Sequence, residues 1–166
     1  MATSLMITAA TVLSTLTHVS GGTPNSQYYY NAEFENGKVS QINVLAHEGQ
    51  YLRNKLSHRY EYDDQDRLVK KVTMLWDNTQ HEWREYQVER YDYADNQMTL
   101  TLSRWNPKSQ AYELTERYNY SLMMDHVVAL TKEKWDDAQK DLASTEQVLL
   151  MTPVNDLAQT ALLYQE

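Results

Sequence analysis

The chain of 166 residues contains no cysteine. This absence excludes disulfide bonds, thiolate metal sites, a cysteine nucleophile and the acylated cysteine of a lipoprotein anchor. A chain of this length, about one domain, buries enough surface to fold without such cross-links.

Phenylalanine, glycine and proline are also scarce. The chain has 1 Phe against 13 Tyr and 4 Trp, and only 4 Gly and 3 Pro. Because tyrosine and tryptophan combine a large apolar ring with a polar group, they suit partly exposed surfaces. The low glycine and proline content excludes a low-complexity chain.

Positive charge is in short supply, with 15 Lys and Arg against 23 Asp and Glu and a formal net charge of −8. Binding to nucleic acid or to an anionic membrane surface requires a basic patch. The composition therefore argues against both partners.

Residues 1–22 form an apolar, leader-like segment. Ser4–Leu16 is a run of 13 apolar and small residues. A bilayer-spanning helix takes about 20 residues, whereas the apolar core of a secretory signal takes about 7–15. A secretory signal also begins with positive charge, and the first basic residue here is Lys38. Two interpretations stay open, an export signal and an apolar strand or helix that packs on the domain. Residues 23–33 are predicted to be a linker.

A tyrosine phrase occurs three times and each time precedes a turn and a β-prone run that ends in tryptophan. The three copies are His58-Arg59-Tyr60-Glu61-Tyr62, Glu89-Arg90-Tyr91-Asp92-Tyr93 and Glu116-Arg117-Tyr118-Asn119-Tyr120. Tyr91 lies 31 residues after Tyr60, and Tyr118 lies 27 residues after Tyr91. A drifting period of this kind indicates hairpins with variable turns rather than a tightly stacked solenoid.

Large side chains recur 7 positions apart at the predicted loop tips. The pairs are Trp76 with Trp83, Trp105 with Tyr112, and Trp135 with Leu142. In an antiparallel hairpin with a four-residue tip, such positions can lie opposite each other. We therefore expect cross-strand pairs near the tips.

Period-two alternation and many β-branched and aromatic residues predict an all-β fold. We predict an up-and-down antiparallel meander of about eight strands, made of four hairpin repeats over residues 34–151, as an open sheet or a barrel. Asn36-Gly37 predicts a tight hairpin turn in which both residues have positive φ. The tail, residues 152–166, has the pattern of a short C-terminal helix with Asn155 as its N-cap.

The sequence resembles known bacterial repeats. The tyrosine phrase, turn and strand ending in tryptophan are similar to the tyrosine-aspartate (YD-type) repeats of bacterial surface proteins. Tyr28–Val39 and the units that follow it resemble more closely a family of small secreted proteins of unknown function from Bacteroides and related gut bacteria. The resemblance implies export and a β-rich meander, and it implies no catalytic residues.

No catalytic or metal-binding residues are predicted. The five histidines lack the spacing of a zinc site. The acidic turn Asp63–Asp66 lacks the glycine and distal glutamate of a calcium loop, so we interpret it as a solvated turn. Glu61 and Glu85 are carboxylates that a polysaccharide hydrolase could use, but nothing in the sequence sets their separation.

The aromatic row contains the candidate ligand-binding residues, which are Trp76, Trp83, Trp105, Tyr112 and Trp135, with Tyr62, Tyr93 and Tyr120 as further members. Their rings could stack on sugars or on the side chains of a protein partner. The alternative, which we favour on the sequence, is that they pack into the core.

The sequence thus predicts a non-enzymatic protein that is exported to the periplasm or secreted, and that binds a glycan or another protein. We expect no cofactor, no nucleic-acid partner and no membrane insertion after processing. The alternative hypotheses are a small polysaccharide hydrolase and a structural module that pairs through a sheet edge.

Overall fold

The computed structural model describes residues 5–20, 28–124 and 127–151. These residues form one helix and nine strands. In chain order they are α1 (Ala9–Ser20), β1 (Tyr28–Glu35), β2 (Lys38–Glu48), β3 (Tyr51–Tyr62), β4 (Leu68–Asp77), β5 (Glu82–Ala94), β6 (Gln97–Asn106), β7 (Ala111–Met124), β8 (Val127–Asp136) and β9 (Asp141–Met151).

The nine strands form one antiparallel sheet in chain order, from β1 to β9. The predicted all-β, up-and-down meander is therefore confirmed, and the sheet is open. The strand count exceeds the prediction because β1 begins at Tyr28, within the range 23–33 predicted as a linker. The β-prone tyrosines there pair with β2, from Tyr28 opposite Ala46 to Glu35 opposite Lys38. The predicted C-terminal helix lies outside the described residues.

The chain divides into two compact units. We call them the N-unit (Thr8–Gln87) and the C-unit (Met1–Ile7 with Val88–Glu166).

In the N-unit, α1 packs on β1 and β2. Thr8 begins the helix, since its Oγ1 accepts the backbone N–H of Thr11 at 3.4 Å, which is the usual role of an N-cap threonine. The backbone N–H of Ala9 donates to the carbonyl of Asp66 at 2.9 Å. Val12 of the helix is 2% exposed. The segment predicted as leader-like therefore contains a helix whose apolar side chain is buried against the N-unit.

The N-unit core is small and aliphatic, and its remaining members are Val39, Ile42, Val44, Leu68 and Met74. The C-unit has a separate core, formed by Leu5, Ile7, Val88, Tyr91, Met98, Leu100, Leu102, Tyr120 and Val128. In β6 the core residues alternate with Thr99 and Thr101, as expected for a strand with one buried face.

The Asn36-Gly37 turn between β1 and β2 has the predicted conformation. Asn36 has a φ of 51° and Gly37 a φ of 77°. Asparagine and glycine tolerate these angles better than other residues, and the right-handed twist of the two strands favours such a turn.

Three further hairpin tips share one construction. Each tryptophan is followed by Asp or Asn, whose Oδ1 accepts a backbone N–H from within the turn. The bonds run from Thr79 to Asp77 (2.7 Å), from Lys108 to Asn106 (2.9 Å) and from Ala138 to Asp136 (2.8 Å). Each turn ends in a residue with positive φ, namely His81, Gln110 and Lys140.

This common turn length sets the register beside the tips. Trp105 lies opposite Tyr112, and Trp135 lies opposite Leu142. The predicted pairing of residues 7 apart is thus confirmed for both hairpins.

The tyrosine phrase has a structural role in the C-unit. In two of its copies, the first tyrosine donates its hydroxyl to the glutamate two residues earlier on the same face of the strand. Tyr91 bonds to Oε2 of Glu89 at 2.6 Å, and Tyr118 bonds to Oε2 of Glu116 at 2.5 Å. The repeat therefore carries a hydrogen bond as well as a strand pattern.

Candidate functional site

An edge-to-face tryptophan pair lies at the β4–β5 tip of the N-unit. The ring centroids of Trp76 and Trp83 are 5.0 Å apart, with an interplanar angle of 70°. Both side chains are partly exposed. Aromatic pairs in this arrangement contribute about 0.5–1.5 kcal/mol beyond the area that they bury. The contact thus holds two large rings in a fixed orientation while part of each faces solvent.

The C-unit contains two related pairs. Trp105 and Tyr112 have ring centroids 5.2 Å apart at 70°. Trp135 is 39% exposed and donates its indole N–H to Oδ1 of Asp137 at 3.3 Å. Its cross-strand partner, Leu142, is partly exposed.

The tryptophans do not occupy the core that we favoured for them from the sequence. Trp76, Trp83 and Trp105 are partly exposed, and Trp135 is exposed. The tips have too little sheet around them to cover an indole, because each ring lies within one or two residues of a solvated turn.

Three tyrosines of the predicted row have structural roles instead. The hydroxyl of Tyr62 donates to the carbonyl of Val39 at 2.9 Å, and that of Tyr93 donates to the carbonyl of Ile7 at 3.2 Å. Tyr120 is 8% exposed, and burial raises its pKa to about 12. The ring of Tyr120 is therefore not available for stacking on a ligand, whereas Tyr62 and Tyr93 are partly exposed.

A pocket of about 260 Å³ opens beside Trp76 in the N-unit. Its lining residues are Ala46, His47, Glu48, Arg53, Asn54, Lys55, Trp76 and Asn78. The pocket lies where two strands separate, because the β3–β4 ladder reaches only as far as Leu56 opposite Leu75. The β2–β3 register also shifts between Val44 and Leu45, which leaves Lys55 as the extra residue of a β-bulge. Bulges commonly redirect side chains in this way.

The basic side chains of the pocket are held by neighbouring residues. Nζ of Lys55 donates to the hydroxyl of Tyr28 at 2.8 Å and lies 4.1 Å from the centroid of its ring. Nε of Arg53 lies 2.8 Å from Oε2 of Glu48.

His47 is held in a similar way. Its Nε2 is 3.0 Å from the hydroxyl of Tyr29, and the two rings meet edge to face. Because Tyr28 and Tyr29 are consecutive on β1, they hold Lys55 and His47 on opposite faces of the sheet.

Sequence reasoning identified Trp76 but missed His47, Arg53 and Lys55. The sequence feature that could have identified them is their position, since all three flank the Gly49 turn within nine residues of one another. A sequence pattern does not show that this turn comes close to a tryptophan more than twenty residues further on.

The other candidate groups from the sequence belong to turns and ion pairs. Oδ1 of Asp63 accepts the backbone N–H of Gln65 and of Arg67, and Oδ2 lies 2.7 Å from the Arg67 guanidinium. Partial desolvation opposes these bonds, but together they lower the pKa of Asp63. Glu61, the hydrolase candidate, lies 2.7 Å from Nζ of Lys70 on an exposed surface, and Glu85 is exposed on β5.

One histidine has a strongly altered pKa. Burial, with a smaller contribution from the charge of Lys71, lowers the pKa of His58 to about 3. Its Nδ1 is 3.0 Å from Oγ1 of Thr73 on the neighbouring strand. A neutral imidazole that bonds to a threonine inside the sheet is a structural element rather than a proton carrier.

Among residues 5–20, 28–124 and 127–151, no three His, Asp or Glu side chains are close enough to hold a metal ion. No helix in those ranges has the length and apolar character to cross a bilayer.

The comparison with protein families decides the family. Residues 1–125 match a family of unknown function, DUF3836. The chain belongs to this family. No curated protein matches the chain. The functional site of this DUF3836 protein therefore has to be argued from its own residues.

Three crystal structures are similar to this DUF3836 protein. A DUF3836 family protein from Bacteroides vulgatus ATCC 8482 is 30% identical, with a TM-score of 0.52, over 54% of this chain and 92% of that one. A protein with unknown function from Bacteroides fragilis NCTC 9343 is 18% identical, with a TM-score of 0.68, over 80% of this chain and 96% of that one. A DUF3836 family protein from Parabacteroides distasonis ATCC 8503 is 24% identical, with a TM-score of 0.50, over 55% of this chain and 85% of that one. The resemblance to a Bacteroides family of unknown function is confirmed.

Proposed function

We propose that this protein is a non-enzymatic carbohydrate-binding protein that acts outside the cytoplasm, in the periplasm or after secretion. The observation that carries the proposal is the partly exposed edge-to-face pair of Trp76 and Trp83 beside a pocket. Sugar rings have apolar faces rimmed with hydroxyls, so they suit a site that combines aromatic surface with a few polar groups.

The pocket supplies both kinds of surface. The ring of Trp76 offers the apolar face, and the side-chain amides of Asn54 and Asn78 can donate to and accept from sugar hydroxyls. The hydrogen-bonding groups lie on paired strands and a tight turn, which limits the entropy lost when a ligand binds.

The charges of the pocket favour binding over hydrolysis. A glycosidase uses two carboxylates, one on each side of the scissile bond. Among the residues that line this pocket, Glu48 alone carries a carboxylate, and it is paired with Arg53 at 2.8 Å.

The location is proposed from the N-terminal sequence. The run Ser4–Leu16 has the length of a secretory signal core, although Leu5, Ile7 and Val12 of this run are buried in the folded chain. The resemblance to YD-type repeats of bacterial surface proteins also supports an extracytoplasmic place.

Direct binding to a panel of neutral and acidic polysaccharides tests the function. We expect saturable binding, followed by isothermal titration calorimetry or by the change in tryptophan fluorescence. Trp76→Ala and Trp83→Ala should each weaken it by about tenfold or more, because a lost stacking contact is worth on the order of 1–3 kcal/mol.

Matched variants separate binding from folding. Trp76→Phe retains a flat ring and should keep most of the affinity, whereas Trp105→Ala removes an equivalent ring from the C-unit and should change little. No binding to any saccharide, or equal affinity in Trp76→Ala, Trp83→Ala and the unaltered protein, would overturn the proposal. Binding to a folded protein without any saccharide would favour the protein-partner hypothesis instead.

A further inference from the structure

The pocket beside Trp76 concentrates positive charge on an acidic protein. The whole chain has a formal net charge of −8, yet Arg53 and Lys55 both line this one pocket. Glu48 is the opposing charge. The charged groups that line the pocket, Arg53 and Lys55 against Glu48, sum to a net positive value.

Lys55 keeps its charge available. Its contacts are the hydroxyl of Tyr28 at 2.8 Å and the face of the same ring at 4.1 Å. Both are neutral, so they orient the ammonium group without neutralising it. An ammonium held in this way retains donors for a second, anionic partner.

Arg53 is held so that part of its guanidinium remains for a ligand. Its ion pair with Glu48 is made by Nε at 2.8 Å. The two terminal nitrogens form the planar edge that binds carboxylate, sulfate or phosphate oxygens with two parallel bonds. His47, fixed by Tyr29 at 3.0 Å, lies on the other face of the sheet, because Tyr28 and Tyr29 are consecutive on β1.

We propose that this pocket binds the anionic group of an acidic saccharide, a carboxylate or a sulfate ester, with the sugar ring against Trp76. Arg53 and Lys55 contact the anionic group, and Asn78 contacts the hydroxyls. This inference rests on the proposed carbohydrate-binding function and names its ligand class.

The test compares three oligosaccharide classes by calorimetry with the full chain. An oligogalacturonate supplies carboxylates, a chondroitin sulfate oligosaccharide supplies sulfate esters, and a neutral galactan oligosaccharide supplies neither. We expect one or both acidic ligands to bind about tenfold or more tightly than the neutral one, with affinity that falls as salt rises because the site is open to solvent. Comparison of the affinities for the two acidic ligands shows whether the pocket prefers a carboxylate or a sulfate ester.

Charge variants locate the anionic group. Arg53→Gln and Lys55→Gln should each weaken acidic binding by about tenfold, and weaken acidic binding more than neutral binding. Lys70→Gln, on the same unit but paired with Glu61 at 2.7 Å, is the matched control and should change neither. Glu48→Gln releases Arg53 and should strengthen acidic binding, a gain that damage to the fold would not produce.

The outcomes separate the two proposals. Equal binding of neutral and acidic saccharides, or acidic binding that Arg53→Gln and Lys55→Gln leave unchanged, overturns the anionic pocket and leaves the carbohydrate-binding function standing. Absence of binding to all three classes and to the wider panel overturns both.

Discussion

Tyrosine hydroxyls of the repeated phrase bond to glutamates of their own strand. Glu89 is 0% exposed and receives the hydroxyl of Tyr91 at 2.6 Å. Glu116 receives the hydroxyl of Tyr118 at 2.5 Å, and it also lies 3.3 Å from Nζ of Lys132 and 3.6 Å from Nζ of Lys134. Desolvation opposes these contacts, yet they together lower the pKa of Glu116.

The two bonds should differ in their contribution to stability. We expect Tyr91→Phe to lower the free energy of unfolding by about 1.5–3 kcal/mol, because it removes a hydrogen bond from a fully buried carboxyl group. Tyr118→Phe should cost about 1 kcal/mol or less, because Glu116 is partly exposed and solvent can replace the lost bond. Urea unfolding of the two variants measures both values, and equal losses would contradict the comparison.

His58 makes stability depend on pH. Its pKa is about 3 in the folded chain, lowered by burial and by Lys71, against 6.5 for an ordinary histidine. Below pH 6.5 the unfolded chain therefore binds a proton that the folded chain does not. Stability is lost as the pH falls from 6.5 towards 3, with a slope of up to about 1.4 kcal/mol per pH unit from this residue.

We expect His58→Gln to reduce this acid sensitivity, because glutamine does not take up a proton and can still bond to Thr73. Chemical unfolding across this pH window should show the stability of the variant rising relative to the unaltered protein as the pH falls. The same substitution at His81, in an exposed turn, controls for the loss of a histidine. A constant difference between His58→Gln and the unaltered protein at every pH would contradict the expectation.

At the scale of the elements, the hairpin tips determine which side chains meet. The turn that follows each tryptophan is closed by an Asp or Asn side chain and by a residue with positive φ. Residues other than glycine are strained at such angles by about 1–2 kcal/mol. The packing of the large residues that the turn aligns on its two sides offsets this backbone strain.

Gln110, at a φ of 50°, tests this account. Gln110→Gly should raise the free energy of unfolding by about 0.5 kcal/mol, since relief of strain exceeds the entropy of the added flexibility. Gln110→Val should lower it by about 1–2 kcal/mol, because a β-branched side chain fits this conformation worst.

Lys108→Gly, in the same turn, is the matched control for the glycine substitution. It relieves no positive φ and should lower stability slightly, by about 0.5 kcal/mol. Thermal unfolding of the three variants gives the order, and a loss of stability in Gln110→Gly would contradict the role of the turn.

At the scale of the whole molecule, acidic charge accompanies several exposed apolar side chains. Tyr51 is 75% exposed, Leu149 65%, Met123 63% and Phe34 56%. Like charges on separate copies repel, and a formal net charge of −8 opposes association through these apolar groups at neutral pH.

Solubility should therefore be lowest near the calculated isoelectric point of 5.1 and rise towards neutral pH. Light scattering of the protein as a function of pH measures this. At neutral pH, added salt should increase scattering, because it screens the repulsion between copies. Scattering that is highest at neutral pH and low salt would contradict the role of net charge.

Much of the fold is predictable because its causes are local. Alternation over a few residues determines a strand, Asn36-Gly37 determines its own turn, and a fixed tip length places Trp105 opposite Tyr112. The extra strand β1 was missed because Thr23–Gln27 has the composition of a linker, and the three tyrosines after it do not show a strand when the partner strand is unknown.

The site depends on contacts between distant residues. Periodicity did not distinguish Trp76, which is partly exposed beside a pocket, from Tyr120, which is buried. Periodicity also did not show that Arg53 and Lys55 lie beside Trp76. The separation of β3 from β4 and the bulge at Lys55 bring these residues together. The sequence by itself determined the all-β meander, its turns and its acidic surface through short-range preferences. The tertiary structure alone decided which aromatic rings are covered and which charges gather around one of them, because burial and proximity depend on elements far apart in the chain.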